Sequence, residues 1–228
     1  MQSFQAGKSI SEKKLAVNDR LEQNCLTDFY TGYYERRYKM KLLEERILTD
    51  GKVLYGGVLN VDGFLNRQVD VSLAKALAQE WYDAFKNDGV TKIITIESSG
   101  IALASITALE FMVPMVFAKK TSGIPTNSHS VKVVSFTHGN NYYVSVPKDL
   151  ITPEDKVLII DDLVANGSAV KALVKVCEDS GASVAGIGIA IEKTYQKGAS
   201  ELREKGYKIE ALAKIKRLGD DGTVEFCL

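Results

Sequence analysis

Residues 157–169 read VLIIDDLVANGSA, and the fold prediction rests on this stretch. Four aliphatic residues lead directly into Asp161 and Asp162, and a turn of small residues follows at 165–169. An apolar run of this length is typical of a strand that is buried on both faces of a parallel sheet. Open parallel sheets bind ligands beyond the carboxyl ends of their strands, where this acid pair would lie. Because adjacent carboxylates repel each other, we expect a ligand at that point to require them.

Strands and helices alternate on both sides of this stretch. Residues 91–97, 115–120 and 183–192 are further apolar strand candidates. Asp70 is predicted to cap a helix that ends at Gly89. The core face of that helix repeats every four residues: Leu73, Leu77, Trp81 and Phe85. Such alternation predicts an α/β fold, a mostly parallel twisted sheet with helices on both faces.

The segment between the predicted strands 115–120 and 157–161 is more polar. Residues 121–130 contain Gly and Pro and are predicted to form a mobile loop. Residues 131–136 and 142–146 are predicted to form a β-hairpin.

Composition excludes several classes of function. The 228-residue chain is 45% hydrophobic and 25% charged, with 29 basic and 29 acidic residues. This balance provides no global field for gathering nucleic acid or an anionic membrane, so we expect neither as a partner. No apolar run is long enough to cross a bilayer, and no signal-peptide core is visible. Three scattered cysteines and two histidines indicate neither a disulfide framework nor a histidine-based metal site. A cytoplasmic protein is expected.

The first 38 residues differ from the remainder. They are polar, carry six basic and five acidic residues, and show no strong hydrophobic period. We predict a polar N-terminal extension, flexible or loosely docked, over 1–38 and a single globular domain over 39–228.

The small-residue turn, Ala165–Ala169, leads into a predicted helix N-terminus. Free backbone N–H groups and the helix dipole favour phosphate there, and small side chains allow its close approach. A phosphorylated sugar would therefore suit the segment, with its hydroxyls on the acid pair. A phospho-receiver domain or a purely structural turn are the alternatives, although receiver acids occur early in the domain. The chain contains neither GxxxxGK[ST] nor a GxGxxG that opens a βαβ unit.

The quoted stretch also resembles the phosphoribosyl pyrophosphate (PRPP) signature of the type I phosphoribosyltransferases. Over roughly 39–228 the match is closest to the xanthine branch of that family. It is carried by VDGFLNRQVD (61–70), GVTKIITIESSGIA (89–102), KVLIIDDLVANGSA (156–169) and AGIGIAIEKTYQKG (185–198). The resemblance implies the type I phosphoribosyltransferase fold with a small hood, formed by residues of about 52–69 together with the C-terminal segment.

The resemblance also implies roles for individual residues. Asp161 and Asp162 would hold the ribose hydroxyls, and the phosphate-binding residues would be Ala165, Asn166, Gly167, Ser168 and Ala169. The pyrophosphate loop would be Glu97, Ser98, Ser99 and Gly100. The base would be held by Leu59, Asn66 and Lys193. Two residues depart from the common family pattern, since Asn166 replaces Thr, as suits the xanthine branch, and Ser168 replaces an expected Gln.

The activity implied is purine salvage, joining xanthine to PRPP to give xanthosine 5′-monophosphate and pyrophosphate in a cytoplasmic homodimer. Mg²⁺ would arrive with PRPP, with no metal ligand directly from protein side chains. A loop over about 119–135 would close before reaction, although its residues 121–130 lack the basic residues expected after Lys119 and Lys120. A guanine or hypoxanthine transferase remains an alternative, and a PRPP-binding transcription regulator a more distant one.

Overall fold

The strand that carries the acid pair lies near the middle of an eight-stranded sheet. The computed structural model describes residues 42–134 and 141–227. The strands of the sheet are β3 (Lys92–Ile96), β4 (Met115–Thr121), β5 (Ser128–Val134), β6 (Asn141–Pro147), β7 (Lys156–Val164), β8 (Ser183–Lys193), β9 (Ile209–Leu218) and β10 (Val224–Phe226). They follow the order β10-β9-β8-β7-β3-β4-β6-β5.

Five neighbouring strands of this sheet, β9-β8-β7-β3-β4, run parallel. Strand β10 at one edge and the β6–β5 pair at the other run antiparallel to their neighbours. The predicted fold class, a mostly parallel sheet with helices on both faces, is confirmed. Because the central strands are parallel, the carboxyl ends of β3, β7 and β8 meet at one edge of the sheet.

Helices cover both faces of the sheet. On one face lie α1 (42–50), α2 (Val71–Phe85) and α3 (Gly100–Phe111), and on the other lie α4 (Ser168–Ser180) and α5 (Gly198–Glu204). The predicted cap of α2 is confirmed, because the Asp70 carboxylate accepts hydrogen bonds from the backbone N–H groups of Ser72 and Leu73, both at 3.1 Å. The four-residue repeat of α2 is buried in the core on its face of the sheet.

Residues 52–69, predicted to form a hood with the C-terminal segment, precede α2. They contain the antiparallel hairpin of β1 (Lys52–Leu54) and β2 (Val58–Asn60), followed by one turn of π-helix at Asp62–Asn66. The hairpin turn uses Gly56 and Gly57, whose φ angles are 80° and 69°.

Several predicted boundaries are wrong. The quoted strand extends beyond Asp161 to Val164, since it gains ladder partners on β8. Residues 128–130, predicted as the end of a mobile loop over 121–130, are the first residues of β5 and pair with β6, so only 122–127 remain between strands. Helix α2 ends at Phe85 rather than at Gly89. Strand β10 was not predicted.

Two predictions concern residues outside the described part of the chain. The extension over 1–38 and most of the predicted turn at 138–141 fall there, and both stay predictions. The hairpin strands that flank this turn are confirmed, as β5 and β6. Among the helices of the described ranges, none is both long and apolar enough to cross a bilayer.

Candidate active site

The acid pair is buried at the carboxyl end of β7. Asp161 is 4% exposed and Asp162 is 8% exposed. The Ser99 hydroxyl donates to Asp162 Oδ1 at 2.9 Å, and the Asp162 backbone N–H donates to Asp161 Oδ1 at 3.0 Å. Burial, reinforced by the neighbouring Asp162 carboxylate, raises the pKa of Asp161 well above its usual range. The negative charge of Asp161 is therefore disfavoured at this site, and a hydroxyl-rich or cationic ligand would stabilise it.

The loop 97–100 joins β3 to α3 and lies against the acid pair. Its Glu97–Ser98 peptide bond is cis. A Cβ atom on Gly100 would overlap the Thr95 hydroxyl and would lie 3.1 Å from Asp161 Oδ1, so the backbone approaches the acids closely only because this residue is glycine. The Glu97 carboxylate accepts from the backbone N–H of Lys120 at 2.8 Å, which ties the loop to β4.

The small-residue turn lies between β7 and α4, and Gly167 occupies the N-cap position of α4 with φ 74°. A Cβ atom on Gly167 would lie 2.8 Å from the Cα of Gly198, the first residue of α5. The Gly198 N–H donates to the Ala165 carbonyl at 3.1 Å, so the two glycines pack backbone against backbone. The turn borders a cavity of about 240 Å³, whose other walls include Val133, Tyr142 and Leu163. The free N–H groups of the first turn of α4 are available to an anion there.

Lys193, at the carboxyl end of β8, connects this edge of the sheet to the hood. Its ammonium donates to the Gly57 carbonyl at 3.0 Å. Burial lowers the pKa of this half-buried lysine. Its neighbour Glu192 is 3% exposed and is held by both terminal nitrogens of Arg203, at 2.7 and 2.6 Å. Because Arg203 already pairs with Glu192, Lys193 is the one of these two adjacent charged residues that can contact a ligand at the site.

The two predicted hood residues are placed differently. Leu59 on β2 is 7% exposed and packs within the core. Asn66 ends the π-helix, and its side-chain Oδ1 is buried without a hydrogen-bond partner in the described part of the chain. A buried amide oxygen without a hydrogen-bond partner destabilises the folded protein, and a ligand that donates a hydrogen bond to it would remove this cost.

The structure brings the acid pair, the 97–100 loop and the small-residue turn to one edge of the sheet. Residues missed from the sequence are Gly198, Gly57, Lys120 and Tyr142. Gly198 carried a weak signal as a glycine at the start of a short predicted helix, whereas the other three depend on contacts between distant elements. Within residues 42–134 and 141–227, no group of three or more His, Cys, Asp or Glu side chains could hold a metal ion.

Known proteins match this chain along most of its length. The phosphoribosyl transferase domain matches residues 64–218. The chain is 47% identical over 187 residues to a xanthine phosphoribosyltransferase of Finegoldia magna, covering 81% of this chain and 98% of that protein. It is 48% identical over 189 residues to the xanthine phosphoribosyltransferase of Bacillus mycoides, covering 82% of this chain and 95% of that one.

A solved structure supports the fold. The adenine phosphoribosyltransferase of Trypanosoma brucei, in complex with AMP, pyrophosphate and ribose-5-phosphate, superposes with a TM-score of 0.66 at 18% identity, covering 79% of this chain and 82% of that one. The domain match spans the residues that build the acid pair and the small-residue turn. This chain belongs to the phosphoribosyltransferase family.

Proposed function

We propose that the protein is a purine-salvage enzyme that converts xanthine and PRPP to xanthosine 5′-monophosphate and pyrophosphate. The observation that carries the proposal is the placement of a buried acid pair directly before a small-residue turn at a helix N-terminus. This arrangement suits a ribose hydroxyl pair followed by its 5-phosphate. The choice of xanthine rests on the relatives of 47% and 48% identity.

The reaction is a displacement at the anomeric carbon of the ribose. N9 of the base enters as the C–O bond to pyrophosphate breaks, and pyrophosphate leaves with the bonding electrons. Positive charge develops on the ribose ring during this step, so the two carboxylates beside the ring stabilise the transition state as well as orient the sugar. Backbone N–H groups of the 97–100 loop would meet the leaving pyrophosphate.

Lys193 gives the base pocket its preference for oxopurines. An ammonium donates hydrogen bonds and accepts none, so it suits an exocyclic oxo group and does not suit an amino group. Since the ammonium has three donors, it can contact the base while it keeps its bond to the Gly57 carbonyl. Asn66 Oδ1, buried without a partner among the described residues, would accept from a ring N–H.

Mg²⁺ would enter with PRPP. The hydroxyl and phosphate oxygens of the substrate are the hard oxygen donors that this cation prefers. The ion would neutralise part of the charge of the departing pyrophosphate. We propose that the substrate, rather than a protein side chain, provides the direct ligands of the ion and that the acid pair orients the ribose.

Product formation tests the activity directly. The protein would be incubated with PRPP, Mg²⁺ and each of xanthine, guanine, hypoxanthine and adenine, and nucleotide would be quantified by chromatography. We expect the highest kcat/KM for xanthine and the lowest for adenine. A higher value for guanine or hypoxanthine would reassign the substrate, and PRPP binding without turnover of any base would favour a regulator.

Replacing Lys193 with alanine is expected to lower kcat/KM for the oxopurine by about tenfold to a hundredfold, because a hydrogen bond to a charged group contributes roughly 1.5–3 kcal/mol. PRPP affinity should change little, since the proposed sugar and phosphate contacts lie on another segment. Discrimination against adenine should decrease. Steady-state kinetics paired with PRPP titration calorimetry measures all three quantities.

Lys75→Ala is the matched control, because it removes an exposed lysine from the middle of α2. If Lys193→Ala behaves like this control, the proposed base pocket is misplaced. A collapse of PRPP affinity would instead assign Lys193 to the phosphate site.

The extension over 1–38 is proposed to be dispensable for catalysis, because its sequence carries no motif and no hydrophobic period. A chain that begins at Lys39 should retain its fold and most of its kcat/KM. Circular dichroism and the xanthine assay would be compared with the full-length protein. A folded truncation that has lost most of its activity would show that the extension contributes to the site.

We also propose a cytoplasmic homodimer, as the family resemblance implies. An apolar groove of about 540 Å³ lies beside β4, and its walls include Met115, Phe117, Pro125 and Leu150. Sedimentation should give twice the 25.0 kDa chain mass. Phe117→Glu should favour the monomer, whereas Val71→Glu, at an exposed position of α2, should not. A monomeric native protein would contradict the proposal.

A further inference from the structure

Lys120 and Tyr142 form a cluster with Asp161 near the cavity described above. The Lys120 ammonium lies over the Tyr142 ring, 5.9 Å from its centroid. Tyr142 lines the cavity opposite the small-residue turn. The Lys120 ammonium also lies near enough to Asp161 to oppose the rise in that carboxyl's pKa. A cation therefore lies beside both a wall of the cavity and one of the buried acids.

Hydrogen bonds fix the backbone of Lys120, but within the described residues its long side chain has no such restraint. Glu97 holds the Lys120 N–H at 2.8 Å, and Lys120 pairs with Val144 across the β4–β6 ladder. The side chain of Lys120 is exposed, and a free lysine side chain samples many rotamers. Tyr142 is partly buried and packs against the core, so its ring is the fixed surface on which the ammonium rests.

We propose that Tyr142 is a positioning residue for PRPP: its ring holds the Lys120 ammonium at the border between the cavity and the acid pair, where it meets the anionic groups of the substrate. This inference rests on the proposed function. A pre-positioned cation lowers the entropy cost of binding a polyanion and leaves recognition of the base unaffected.

Two substitutions of Tyr142 separate the ring from its hydroxyl. Tyr142→Phe keeps the aromatic face, whereas Tyr142→Leu keeps only apolar bulk. We expect Tyr142→Leu to raise the Kd and KM for PRPP by about 2- to 30-fold, the range of cation–π interactions from exposed to desolvated sites. The KM for the base should stay unchanged, and Tyr142→Phe should match the wild type.

A double-mutant cycle identifies the lysine as the group that the ring positions. Lys120→Ala should weaken PRPP binding, and adding Tyr142→Leu to it should cause little further loss. Tyr143→Leu, at the adjacent position of β6, is the control for general damage to the strand. Calorimetry with PRPP and Mg²⁺ and steady-state kinetics provide the readouts.

The outcomes separate this inference from the proposed function. Failure of the wild type to bind PRPP would contradict the proposed function itself. If the wild type binds PRPP but Tyr142→Leu and Tyr142→Phe behave alike, or if the Lys120 and Tyr142 effects are additive, Tyr142 does not position Lys120. A rise in the KM for the base alone would place Tyr142 in the base pocket and overturn the inference.

Discussion

Replacing Gly167 with valine is expected to abolish productive PRPP binding while the domain stays folded. Gly167 has φ 74°, a conformation that a β-branched residue strongly disfavours, and its Cβ atom would lie 2.8 Å from the Cα of Gly198. The turn would have to move away from α5, and its N–H groups would lose their common direction. Loss of two charge-assisted hydrogen bonds, each worth roughly 1.5–3 kcal/mol, corresponds to at least about a hundredfold weaker binding.

Gly206→Val is the matched control for this prediction. Gly206 has φ 90°, and no atom lies within 4 Å of the position of its Cβ. Valine at this position therefore carries comparable backbone strain, roughly 1–3 kcal/mol, just past the end of α5 that lies opposite Gly198. Thermal unfolding should show that both variants fold, with a larger loss of Tm for Gly167→Val because of its additional backbone contact, whereas calorimetry should show normal PRPP affinity only for Gly206→Val. A folded Gly167→Val protein with wild-type affinity would refute the assignment of this turn to phosphate.

Replacing Asp161 with asparagine is expected to reduce kcat/KM by about a hundredfold, because a charged contact to a ribose hydroxyl and a negative charge near the reacting ring are both lost. The same change should stabilise the unliganded protein near neutral pH. Burial and the adjacent Asp162 disfavour the ionised Asp161, whereas the asparagine oxygen can still accept the Asp162 N–H. Loss of activity and gain of stability would thus occur in one variant.

The stability gain has a defined dependence on pH. Because the folded-state pKa of Asp161 is raised, its contribution to stability is fully present below about pH 4, the usual pKa of an unfolded aspartate, and is lost as pH rises through the folded-state pKa. Asparagine does not titrate, so the difference in Tm between variant and wild type should grow from acidic to neutral pH.

Differential scanning calorimetry at several pH values measures this dependence. Asp220→Asn, at an exposed position, is the control and should show neither effect. A variant whose Tm difference is flat across this range would show that Asp161 is ionised without penalty. The acid pair would then have no unfavourable interaction for a ligand to relieve.

Much of the fold could be predicted because the relevant signals are local. The Asp70 cap, the four-residue repeat of α2 and the apolar strand at 157–160 each depend on neighbouring residues, and the structure confirms them. The prediction was wrong where pairing between distant segments decides the secondary structure. Residues 128–130 are polar enough to be read as a loop, but their pairing with β6 makes them the beginning of a strand.

The sequence by itself determined the alternation of the central strands and helices, the acid pair and the small-residue turn, because hydrophobic period and turn chemistry are properties of contiguous residues. Its resemblance to a known family also located Lys193 and the 97–100 loop. Only the tertiary structure decided that Ser99 donates to Asp162, that Gly198 supports Gly167, and that Lys193 bonds to the Gly57 carbonyl. Each of these contacts joins residues that are 31 to 136 positions apart. These residues meet because parallel strands bring separate loops to one edge of the sheet, and no local sequence pattern encodes such a contact.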